Sequence, residues 1–255
     1  MKGFKKVIAA ILVFAVLFSP LVPHIGAESK VMGGNQELVK GQKSSSIKYE
    51  SAPSDKIQAL GITVTKKSLA SNISYPQVSS LLNKQLERSI NNKFLSLAKQ
   101  TQQANKELKE QEKEDHKNGW SSGSYFQNMK YSVSYNQDNI LSISVTYDEY
   151  SGGAHGMTWI DTYNYNLLKA KQLSLKDVIT DQKQLGKVNK YIHEQMIARN
   201  KKGAQFWVED FKSVNLTQDQ FYYTNGGIMI IFGQSEYGPF ANGINFFKVP
   251  YSVFK

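Results

Sequence analysis

In the stretch YDEYSGGAHGMTW, two carboxylates, Asp148 and Glu149, lie within a few residues of an imidazole, His155. Carboxylates and imidazoles are the side chains that move protons in general acid–base catalysis, and a pair of carboxylates is what hydrolysis of a glycosidic bond uses. That chemistry requires carboxyl groups that flank a cleft and come within hydrogen-bond reach of substrate, which spacing alone does not secure. The glycines around His155 point to a second reading. Gly152 and Gly153 permit positive φ where a strand bends back on its neighbour, and Ala154 and Gly156 let backbones approach closely. On that reading the stretch is a bend, and His155 hydrogen-bonds backbone groups across it.

Other catalytic patterns are absent from the sequence. Besides His24 in the N-terminal segment, the histidines are His116, His155 and His193. YIHEQM lacks the second histidine of the zincin motif. No nucleophile elbow, phosphate-binding loop or dinucleotide fingerprint occurs. No catalytic residue is assigned, and neither metal nor cofactor is expected.

The elements that must carry these residues can be read from periodicity. Lys2, Lys5 and Lys6 precede an apolar run from Val7 to Phe18, which Pro20, Pro23 and Gly26 break. This is the layout of a secretory signal peptide over residues 1–27; an uncleaved anchor is the alternative, although the run is short for a span. Residues 28–56, rich in Gly, Ser, Lys and Gln, read as a flexible tether. The folded region is expected from Ile57, with extended chain ending at Pro76. Val78, Leu82, Leu86, Ile90 and Phe94 then step by four, the mark of a long amphipathic helix. Its continuation KEQEKEDHK reads as a solvated extension, and Gly119 as its stop.

Tyr131, Val133 and Tyr135, then Leu141, Ile143, Val145 and Tyr147, alternate with polar residues, as in a half-buried antiparallel sheet. Trp159, Asp161, Tyr163 and Tyr165 continue that pattern beyond the glycines. Ser174 and Asp177 form a capping-box pattern ahead of a second helix carrying Leu185, Val188, Ile192 and Met196. FYYTNGGIMIIF reads as a hairpin, and Pro250 interrupts a last strand. Together these give an α+β fold: an antiparallel sheet packed with a long N-terminal helix and a second amphipathic helix. A strand and long-helix unit is expected over residues 57–130 and a second unit over 131–255.

Two blocks carry a family resemblance. SVTYDEYSGGAHGMTWIDTYNYNLLKAKQLSLKDVI and FYYTNGGIMIIFGQSEYGPFANGINFFKVPYSVF resemble the central and C-terminal signatures of a bacterial extracytoplasmic domain family. That family includes the extracellular domain of the lysozyme-sensing anti-sigma factor RsiV and the N-terminal region of the peptidoglycan deacetylase PdaC. The family-motif positions here are Asp148, Glu149, Gly152, Gly153, His155, Gly156, Tyr237 and Pro239. The resemblance implies an extracellular α+β domain that binds more than it catalyses. Only six residues precede the apolar run and the chain ends at Lys255, so neither a sigma-binding segment nor a deacetylase domain is expected.

The chain carries a formal net charge of +10, and loss of residues 1–27 removes three lysines and no acids, leaving +7. A basic exported protein meets anionic neighbours, such as wall polymers or a membrane surface. No basic run interleaved with aromatics appears, so nucleic acid is not expected. The absence of cysteine means an exported fold standing without disulfides. The expected role is a secreted binding domain at the cell envelope, possessing affinity for peptidoglycan or for a wall-active protein such as a lysozyme. An enzyme acting on wall polymer through Asp148, Glu149 and His155, or a purely structural secreted protein, are the alternatives.

Overall fold

The computed structural model describes residues 62–120 and 123–255. The expected signal peptide, tether and start at Ile57 lie outside the described residues. The strands are β1 (Thr63–Ala70), β2 (Ile73–Ser79), β3 (Phe126–Gln137), β4 (Ile140–Tyr150), β5 (Met157–Asn166), β6 (Lys171–Leu173), β7 (Gln220–Thr224), β8 (Gly227–Phe232) and β9 (Asn245–Pro250). The helices are α1 (Lys84–Lys117), between β2 and β3, and α2 (Gln182–Asn200), between β6 and β7. The first six strands form one sheet in sequence order, and β7, β8 and β9 form a second. The fold is α+β with the two expected helices. One pairing is not antiparallel: β2 meets β3 in parallel, at Ile73 and Met129. A helix between two strands returns the chain to the end it left, and parallel pairing results. The division expected between residues 130 and 131 falls inside β3.

The extended segment expected to end at Pro76 is a hairpin, with Pro76 inside β2 opposite Lys66. β2 pairs with β3 at Ile73 alone, so most of its second edge has no ladder for a proline to interrupt. The helix begins later than the four-residue stepping implies. Val78 belongs to β2, and Leu82 is fully exposed ahead of the helix. Asn83 is the N-cap, its side chain accepting from the Leu86 N–H at 2.9 Å. Val78 keeps the stepping because it enters the same core from the strand. Asn91 holds it there, accepting from the Val78 N–H at 2.7 Å and donating to its carbonyl at 2.8 Å. From Leu86 onward the stripe holds: Leu86, Ile90, Phe94 and Leu97 are buried, and Phe94 sets its ring edge-on to Tyr163, 5.2 Å between centroids.

Leu141, Ile143, Val145 and Tyr147 point into the core beneath α1. The opposite, polar face was expected to be solvated on a half-buried sheet. Instead Ser142, Ser144 and Asn164 are buried, because β7 packs across them. Ser142 donates to the Asn164 side chain at 2.6 Å, Asn164 donates to the Phe221 carbonyl at 2.7 Å, and the Tyr223 N–H donates to Ser142 Oγ at 3.2 Å. Gln220 accepts from the Thr162 N–H at 2.7 Å, and Gln234 accepts from the Thr158 N–H at 2.7 Å. The alternation was real, but its polar half meets protein instead of water.

Ser174 and Asp177 do form a capping box, but around a single 3₁₀ turn, Leu175–Asp177. Helix α2 has its own cap, Asp181, which accepts from the Gln184 N–H at 2.7 Å. Val188, Ile192 and Met196 pack with Ile230, Phe232 and Phe247 in a second core. Asn225 and Gly226 turn the β7–β8 hairpin, and β9 ends at Pro250.

Candidate functional site

The glycine stretch joins β4 to β5, with Glu149 paired to Met157 at its base. Gly152 and Gly153 have φ of +102° and +83°. A Cβ on Gly152 would stand 2.5 Å from the Tyr125 hydroxyl, and one on Gly156 would stand 2.4 Å from the Glu149 carbonyl oxygen. Left-handed backbone and close approach together require glycine here.

His155 is exposed and does not take the expected backbone partner. Its ring stacks on Phe240, 3.9 Å between centroids at 22°. Phe240 opens a 3₁₀ turn, Phe240–Asn242, inside the YGPFANG block. The two sequence blocks therefore meet face to face. Pro239 precedes that turn and accepts from the Asn242 N–H at 2.9 Å. Tyr237 belongs to the second core, edge-on to Phe232 and Phe211, and burial pushes its hydroxyl up to about 12.

Asp148 and Glu149 are successive strand residues and point to opposite faces. Asp148 accepts from the Thr158 hydroxyl at 2.9 Å, and Glu149 accepts from the Gln127 side chain at 2.9 Å. The two carboxylates turn to separate partners, on opposite sides of the sheet.

The loop instead supports an aromatic cluster beside a groove. Tyr125 is buried against Gly152, and its hydroxyl donates to Asp115 at 2.9 Å. Its N–H donates to Glu112 at 2.6 Å. Tyr150, at the start of the loop, lies edge-on to Tyr125 (5.9 Å) and beside Phe126 (6.4 Å), and donates to the Gly153 carbonyl at 3.0 Å. The charged end of α1 is thus more than a solvated extension, because Glu112 and Asp115 anchor Tyr125. The Lys109 ammonium, followed by the Tyr125 N–H, holds the Glu112 carboxyl below the usual range.

Between the β1–β2 turn, α1 and residues 124–126 lies a groove of about 510 Å³. Phe126, 38% exposed, forms one wall, and Asn72, Gln102, Lys106, Lys109 and Glu110 contribute polar groups. Asn105, also in the lining, is fixed from both ends: it donates to the Gln127 carbonyl at 2.7 Å and accepts from the Gln127 N–H at 2.9 Å. The groove offers an apolar ring beside amides and charges of both signs. Glu110 is the one carboxylate among its described lining residues, and it pairs with Lys113 at 2.7 Å. Sequence reasoning missed this site: Phe126 lay before the expected strand start, and Lys109 and Glu110 read as part of a solvated helix extension.

A second feature went unread. Asp219 and Glu236 are neighbouring carboxylates, each accepting from a backbone N–H: Asn215 at 2.7 Å and Gly233 at 2.6 Å. Burial, with the Glu236 charge adding to it, pushes Asp219 up to about 7. No motif marks either residue, and only the fold brings them together.

Residues 62–158 match the family model described as deacetylase PdaC, and residues 176–252 match that of a protein family of unknown function, DUF3298. Among solved structures, a DUF3298 family member from Bacteroides fragilis shares 17% identity over 75% of this chain and 90% of its own, with a TM-score of 0.57. A DUF3298 family protein from Pseudomonas aeruginosa shares 13% identity over 75% of this chain and 91% of its own, with a TM-score of 0.46. The curated proteins contain no match to the chain.

Proposed function

We propose that this chain, a PdaC-type domain followed by a DUF3298 domain, is a binding module of the bacterial cell envelope, and that its ligand is wall glycan held in the groove beside Phe126. The observation that carries this reading is the groove itself. Sugars present apolar C–H faces and many hydroxyls, which suit an exposed ring beside amide and charged groups. The family resemblance supports binding over catalysis, and export to the envelope agrees with the layout of residues 1–27. The divergence of Asp148 and Glu149 weighs against the acid–base alternative. A basic lysozyme is a less favoured ligand, since two basic proteins repel at long range.

The test is co-sedimentation with purified sacculi, with and without their anionic polymers, at low and moderate salt. The expected result is binding that survives both stripping and salt, and that falls roughly tenfold in Phe126→Ala, the loss of one aromatic anchor. Binding abolished by stripping would reduce the interaction to charge attraction and refute a glycan groove. Equal binding by Phe126→Ala would place the contact elsewhere.

A further inference from the structure

The other half of the molecule holds a second, smaller cavity of about 300 Å³, at the C-terminal end of α2. Arg199, Lys202, Asn242 and Asn245 supply its polar lining, and Ala204 and Phe206 its apolar wall. No acid lines it. Arg199 is half-buried, its guanidinium lying over the Phe247 ring with the central carbon 4.2 Å from the centroid. One of its Nη groups donates to the Phe246 carbonyl at 2.8 Å. Among the described residues no carboxylate comes within ion-pair distance of it. A guanidinium has five N–H donors in a rigid fork, and one carbonyl leaves most of them unassigned. Burial pulls its pKa below the ordinary arginine value, with the nearby Tyr191 opposing the fall.

The surroundings hold this cation in place. The Arg199 carbonyl accepts from the Lys202 and Ala204 N–H groups, so the helix end turns its last carbonyls onto its own chain. Asn200 fixes the wall, donating to the Phe206 carbonyl at 2.9 Å and accepting from the Phe206 N–H at 2.7 Å. Asn245 is buried, its amide donating to the Gly243 carbonyl at 3.3 Å. Asn242 comes from the same 3₁₀ turn that Phe240 opens.

We propose that this cavity is a binding site for a phosphate group, either free phosphate or the phosphodiester of a polymer. Two cations favour an anion of more than one charge-bearing oxygen pair over a lone carboxylate. The guanidinium fork takes two oxygens, and Lys202, Asn242 and Asn245 line the same cavity. Each amide gives one hydrogen to a backbone carbonyl, Asn242 to Gln205 at 3.4 Å and Asn245 to Gly243 at 3.3 Å, and keeps its second N–H for a further oxygen of a tetrahedral group. The site goes beyond the glycan reading and shares no residue with the Phe126 groove.

The test is a titration of the protein with inorganic phosphate, dimethyl phosphate and acetate at constant ionic strength, following the side-chain amide signals of Asn242 and Asn245 by NMR. Phosphate is expected to give saturable shifts. Lys202→Gln, at an exposed residue, and Arg199→Lys, which keeps charge and stem but loses the fork, are each expected to weaken binding roughly tenfold, the loss of one charge-assisted contact. Dimethyl phosphate binding as tightly as inorganic phosphate identifies a diester site, and binding of inorganic phosphate alone identifies a free-phosphate site. Absence of saturable shifts, tighter binding of acetate than of phosphate, or unchanged affinity in both variants overturns the proposal.

Discussion

Replacing Gly152 by alanine separates two costs that glycine avoids. Gly153 is its natural control. Both have positive φ, but a Cβ at Gly153 meets nothing within 4 Å, whereas one at Gly152 would press into Tyr125 at 2.5 Å. Gly153→Ala therefore carries only the left-handed backbone cost, about 1–2 kcal/mol, less some relief from a stiffer unfolded chain. At Gly152 the ring cannot simply swing away. Tyr125 is 2% exposed, bonded to Asp115 and packed against Tyr150. Making room sacrifices a hydrogen bond to a charged group, which adds about 1.5–3 kcal/mol. Gly152→Ala should lose about 2 kcal/mol more than Gly153→Ala in urea unfolding, or roughly 4–8 °C in Tm for a domain of this size. Tyr125→Phe removes the clashing oxygen and leaves a ring carbon at 3.0 Å as the nearest contact. The double variant Gly152→Ala/Tyr125→Phe should consequently be more stable than the sum of the single losses, by about 1 kcal/mol. Equal losses at the two glycines, or strict additivity with Tyr125→Phe, would refute the steric account of the motif.

Two further predictions concern the second half and the joint. Asp219 keeps its proton up to about pH 7 in the folded chain, while the unfolded chain releases it near 4. Stability attributable to this group is therefore full below about pH 4, falls as pH rises toward 7, and is level above that. The shift sets a ceiling of about 4 kcal/mol, which partial solvation of the carboxyl brings down to about 1–2 kcal/mol. Asp219→Asn keeps an acceptor for the Asn215 N–H, and should flatten the fall when unfolding free energies at pH 4.5 and pH 8 are compared; parallel pH slopes would sink the assignment. His155→Ala should cost less than about 1.5 kcal/mol, the range of one aromatic stack. It should nevertheless speed amide exchange at Thr158, three residues beyond His155, whose N–H donates to Gln234. Unchanged exchange would mean that the stack does not hold the joint.

What the sequence made legible follows from local periodicity. The alternation of Leu141 to Tyr147 and the stepping of Leu86 to Leu97 each report one buried face, and both held. Periodicity is blind to which element owns a residue when two elements feed one core, as Val78 demonstrates from β2. It also cannot distinguish a polar face turned to water from one turned to more protein, which is why the burial of Ser142 and Asn164 was not foreseen. The candidate site was less accessible still. The groove takes Asn72 from a turn, Lys106 from a helix and Phe126 from a strand start, and no local pattern links them. The motif residues were visible, but what they build is a support for Tyr125 and a contact with Phe240.

The buried polar contacts between β4–β5 and β7 also constrain how this architecture can be recombined. An oily interface can be re-docked with small slips, because one methyl group replaces another. Here a slip of one residue would leave Ser142, Asn164, Thr162 and Gln220 facing the wrong partners, each at a cost of about 1–3 kcal/mol. The pattern works like the wards of a lock: a chimera that takes β4–β5 from one relative and β7 from another inherits half a key. Domain exchange among such proteins is open only to swaps that carry both sides of the polar contact together.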